Sequence, residues 1–109
     1  MVDTDVRVVL VTCPPGGTAQ SIAKLLIEKD LAACVNILPK VTSIYKWKGE
    51  VCQEEEQLCL IKTSAARWPQ LEVAIRKAHP YELPEIIAVP VTEGLQEYLA
   101  WVKESVVSS

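Results

Sequence analysis

Tyr45-Lys46-Trp47-Lys48-Gly49-Glu50-Val51 decides the fold. Lys48-Gly49-Glu50, with strand formers on both sides, reads as a hairpin turn. Outward from it run two long strands, one from Leu31 to Trp47 and one from Val51 to Thr63. Pro39-Lys40 interrupts the first; a proline withholds one ladder donor, so a bulge or an edge position is expected there. Strands beyond about ten residues exceed the usual length, so this arm should project past its own sheet.

The next elements outward are helices. On the N-terminal side Thr18 is the expected N-cap of a helix carrying Ala19, Ile22, Ala23 and Leu26 on one face, with Lys24, Glu28 and Lys29 turned to water. On the C-terminal side Ser64 or a neighbour caps a helix in which Leu71, Ala74, Ile75 and Ala78 fall at i, i+3, i+4, i+7. Pro69 suits its first turn and Pro80 must end it. Outermost lie two apolar strands, Val6 to Thr12 and Glu85 to Val91, and then a stripe of Leu95, Tyr98, Leu99, Val102 and Val106 that makes a last helix. The order β-α-β-β-α-β-α with right-handed crossovers gives an α+β, ferredoxin-like split β-α-β sandwich, two helices on one face of one sheet. Residues 1–109 form a single domain. Apolar residues occur on both faces of the strands, so the face without those two helices is expected to meet other subunits.

Half of the 109 residues are apolar and 23% are charged, which excludes intrinsic disorder. Phe is absent, so Leu, Ile, Val and Ala build the interior. A net charge of −3 without a basic patch argues against nucleic acid and anionic membranes as partners. Val8 to Val11 is far shorter than the roughly 20 residues of a membrane helix. Asp3 and Asp5 stand where a signal peptide carries Lys or Arg, so a cytoplasmic protein is expected. In that compartment Cys13, Cys34, Cys52 and Cys59 stay reduced. They form no Cys-x-x-Cys knuckle, and Cys52 and Cys59 fall on opposite faces of one strand, so no structural zinc site is expected.

Several segments, taken in order, resemble one family: Val11-Thr12-Cys13-Pro14, Leu31-Ala32-Ala33-Cys34-Val35-Asn36-Ile37, Ser43 to Gly49, Ile61-Lys62-Thr63, His79-Pro80-Tyr81-Glu82-Leu83-Pro84-Glu85-Ile86-Ile87 and Tyr98-Leu99-Ala100-Trp101. The sequence is similar along nearly its whole length to the CutA divalent-cation-tolerance proteins. Two departures from the common pattern are Pro15, where many members have Asp or Asn, and the reversed charges of Lys48-Gly49-Glu50. The resemblance implies a homotrimer of PII-like shape, a role linked to copper and other divalent cations, and no catalytic reaction or obligatory cofactor. It also implies that functional residues gather in clefts between subunits, around Cys13, Trp47, Lys62, His79, Tyr81 and Glu82.

On that basis Cys13, His79 and Glu82 are the candidate metal ligands, and Trp47, Lys62, Tyr81 and Glu85 the candidate cleft residues. Thiolate with imidazole would favour copper. Each has a plainer alternative: His79 as a helix-terminal residue, Cys13 as a small buried hydrophobe, Lys62 paired with Glu82 or Glu85, Trp47 packed against a neighbour. Glu54-Glu55-Glu56 reads as a solvated arm, since the middle acid of three on a strand points away from the others. The Gly16-Gly17 loop lacks the lysine of a phosphate-binding loop, and no Ser-His-Asp or cofactor pattern is present, so catalysis is not expected. Two readings remain open: a cation-binding homotrimer, and a PII-like regulatory or scaffold trimer that takes a small anion or a partner protein.

Overall fold

A computed structural model describes residues 3–107. Seven elements follow one another: β1 (Val6–Cys13), α1 (Thr18–Glu28), β2 (Cys34–Trp47), β3 (Glu50–Ser64), α2 (Trp68–Ala78), β4 (Ile86–Pro90) and α3 (Gln96–Ser105). The strands form one antiparallel sheet in the order β2-β3-β1-β4, the ferredoxin-like arrangement read from the sequence. Among the described residues no helix is long and apolar enough to cross a membrane.

Strand alternation divides the molecule. Val9, Val11, Cys13, Cys59 and Ile61 face one way and are fully buried with Ala19, Ile22 and Leu26 of α1 and Leu71 and Ile75 of α2. Register puts Val8, Leu10, Leu58, Leu60, Ile87 and Val89 on the other face. There the structure corrects the expectation of a bare face. The third helix, α3, packs across β3 and β1 and buries Val102 and Val106, and Tyr98 reaches Cys34. Leu38, Ile87 and Val89 stay substantially exposed.

The hairpin is tighter than its sequence reading. β2 ends at Trp47 and β3 begins at Glu50, so Lys48 and Gly49 alone make the turn, both with positive φ (51° and 83°). That is the mirror-image turn whose twist matches two antiparallel strands. Pro39 and Lys40 sit at the register shift between Leu38 and Val41, the expected bulge. Two caps differ from expectation. Thr18 is the first helical residue, and the N-cap is Gly17 in left-handed conformation. Ser64 lies before α2, its Oγ accepting from the Arg67 amide, and Arg67 is the N-cap.

Candidate functional site

Counting back from the Lys48-Gly49 turn pairs Trp47 with Glu50, Tyr45 with Cys52, Ser43 with Glu54 and Val41 with Glu56. Residues opposite one another share a face, so Ser43, Tyr45 and Trp47 stand beside Cys52, Glu54 and Glu56. The segment after α2 closes over them. Pro80 cannot continue the helix, and His79 leaves it in extended conformation (φ −85°, ψ 135°). The cleft so formed holds about 810 Å³ and is lined by these residues, by Thr12 and Ile44, and by Pro80, Tyr81, Glu82, Leu83 and Glu85.

His79 fastens this closure. Its Nε2 lies 2.8 Å from the Thr12 carbonyl oxygen, and the Tyr81 amide donates to its Nδ1 at 3.2 Å. A carbonyl only accepts and an amide only donates, so the ring is the neutral tautomer with hydrogen on Nε2. The Tyr81 ring packs on the imidazole at 4.7 Å, and its hydroxyl donates to Glu56 Oε2 at 2.7 Å. Glu56 is thereby 7% exposed although it lies on the arm. Burial, and then the bond to Glu56, pushes the Tyr81 phenol well above its ordinary value. Tyr45 donates to Glu54 in the same way, and that bond pushes its phenol up to about 12.

Glu54, Glu56, Glu82 and Glu85 thus line one cleft, and no Lys or Arg is among its lining residues. Two carboxylates are oriented by phenol donors that do not neutralise them. Such a cleft attracts cations and repels anions.

The expected metal set does not come together. Cys13 is fully buried on the helix-covered face, where the Cys59 thiol and burial push it far above the ordinary thiol range. His79 is 7% exposed and spends both ring nitrogens on backbone. Glu82 is exposed and lines the cleft. Among the described residues no three His, Cys, Asp or Glu side chains form a group able to hold a metal within the subunit. Trp47, Tyr81 and Glu85 do line the cleft. Lys62 does not; it lies across from Cys34 and, within the subunit, donates to the Asn36 amide oxygen.

Sequence reading missed Tyr45, Glu54, Glu56 and Thr12. The signal was available for the first three: with a two-residue turn fixed at 48 and 49, pair counting alone brings Tyr45 beside the alternating Glu54 and Glu56. Treating Glu50 as part of the turn hid it.

The family model for the CutA1 divalent ion tolerance protein matches residues 7–105. A divalent-cation tolerance protein CutA of Thermus thermophilus is 50% identical over 99 residues, covering 91% of this chain and 96% of that protein. The solved structure from the same species superposes with a TM-score of 0.91 at 48% identity, over 94% of this chain and 99% of that one. A PII-like protein CutA from Nostoc, solved in apo form, gives a TM-score of 0.87 at 40% identity, over 93% of this chain and 97% of that one. With most of its length matched by the family model and a half-identical relative of similar size, the chain belongs to the CutA1 divalent-ion-tolerance family.

Proposed function

We propose that this protein serves divalent-cation tolerance as a cytoplasmic homotrimer, taking cations at the carboxylates of the cleft under His79–Glu85 with groups of an adjoining subunit completing each site. One observation carries the reading: four carboxylates and no cationic side chain line a single cleft. Among the described residues of one subunit no complete donor set is found, so in this reading a neighbouring subunit supplies the remaining ligands. The exposed Leu38, Tyr45, Trp47, Ile87 and Val89 give the arm and the sheet face surface to bury against a neighbour. Of the thiol, imidazole and carboxylate first expected, this reading keeps only the carboxylate, Glu82, and at a common donor set Cu(II) still binds above Mn(II) and Zn(II). No catalytic step belongs to this reading.

Calorimetric titration with Cu(II) tests it. Glu56→Gln keeps the hydrogen bond from Tyr81 while removing the charge, and it should weaken binding at least about tenfold, the scale on which supporting groups of metal sites act. His79→Gln should weaken it less, and Cys13→Ala not at all. Unchanged binding in Glu56→Gln would remove the cleft from the account.

A PII-like trimer that holds a small organic ligand is the second reading, and the size of the cleft with its Trp47, Tyr45 and Tyr81 walls favours it. The acidic lining turns the ligand of that reading from an anion into a neutral or cationic molecule.

A further inference from the structure

The carboxylates of the cleft are spread out. Glu54 and Glu56 share a face of β3 two residues apart, about 7 Å along the strand. Glu82 and Glu85 come from the segment that closes over them. Among the described residues no three acids, thiols or imidazoles gather closely enough to hold one ion. Aromatic surface lines the same space, from Tyr45, Trp47 and Tyr81.

Two observations say that something positive belongs there. Glu56 is 7% exposed, its hydrogen bond comes from the neutral Tyr81 phenol, and no Lys or Arg lines the cleft, so its charge is buried without a cationic side chain beside it. A buried charge left unpaired is costly. The Trp47 ring already draws a cation, since Lys48 at the turn places its Nζ 5.8 Å from the ring centroid.

We propose that the cleft takes a linear aliphatic di- or polyamine, with its ammonium groups on separate carboxylates and its methylene chain against the aromatic rings. The inference rests on the second reading above, a small organic ligand in the cleft, and names the chemical class of that ligand. A point charge such as Mg(II) demands a near-octahedral set of converging oxygens. Ammonium groups joined by methylenes match acids that stand apart. An ammonium offers donors and no acceptor, which suits carboxylates that phenols have oriented and left charged. The chain between the charges loses its contact with water against the rings. The same acids repel a nucleotide or any other anion.

The test is calorimetric titration of the native oligomer, freed of metal by chelation, at low salt with spermidine, putrescine, butylamine and uncharged butanol. Affinity should fall in that order, about tenfold for each ammonium lost, the scale of a hydrogen bond to a charged group. Glu56→Gln, which keeps the Tyr81 bond, should weaken spermidine at least about tenfold while thermal unfolding stays cooperative. Glu82→Gln, at an exposed position of the lining, should weaken it several-fold. Glu28→Gln makes the same charge change on an exposed site of α1 outside the cleft and should leave binding as it is. Mg(II) equimolar with spermidine should not displace it. Butylamine or butanol binding as tightly as putrescine would overturn the inference and leave an organic ligand in the cleft standing. No binding by any of the four would overturn both. Equal losses in Glu28→Gln and Glu82→Gln, or displacement by equimolar Mg(II), would reduce the effect to diffuse charge attraction and overturn the inference as well.

Discussion

At the scale of the residue, the cleft is built by phenols and carboxylates held together. Tyr45 bonds to Glu54, Tyr81 to Glu56, and His79 sets the turn that lets Tyr81 reach. A carboxylate beside a phenol favours the neutral phenol, so the folded-state value of Tyr45 rises from 10.0 to about 12. The sign follows: this pairing supports the fold fully below about pH 10 and is lost as pH rises through about 12. Tyrosine absorbance should therefore show ionisation delayed past pH 10, with Glu54→Gln bringing one phenol back towards it. Wild type and Glu54→Gln titrating alike would contradict the pairing. Trp47, Tyr81, Glu82 and Glu85 were named on the strength of the family resemblance, and in the subunit they line the cleft. Cys13 and His79 were not legible as ligands or otherwise, because one step along β1 separates Thr12, which faces the cleft, from Cys13, which faces the helices. Nor does the identity of a histidine say that a carbonyl and an amide already occupy its ring.

At the scale of the element, the hairpin sets the register that lines up the cleft. Gly49 has φ 83°, and a β-carbon there would meet nothing within 4 Å, so only backbone strain opposes a side chain. Gly49→Ala should cost about 1 kcal/mol, visible as a lower midpoint in urea at unchanged slope. No loss would mean the arm tolerates another turn. Element order, the bulge at Pro39-Lys40 and the end of α2 before Pro80 were all written in proline, glycine and period. The position of α3 was not. Its apolar stripe fixes that it packs, but no local signal says on which face, and the structure puts it opposite α1 and α2. Two of the five residues of that stripe, Leu95 and Tyr98, remain exposed.

At the scale of the whole molecule, the subunit is more extended than a compact chain of its length. A compact chain of this length has a radius of gyration of about 13 Å; this one has 14.5 Å and measures 44 × 31 × 22 Å. Its surface of 6875 Å² exceeds the roughly 6,000 Å² that its 12.0 kDa mass would give. In the sheet β2 and β4 are the open edges, and in the proposed trimer a closed ring of subunits would protect them. Native mass spectrometry with Cu(II), run on wild type and Glu56→Gln side by side, reads assembly and cation load together. The account predicts trimers in both, with up to one copper per subunit on wild type and a depleted load on Glu56→Gln. Single chains, or trimers carrying the same copper in both proteins, would contradict it.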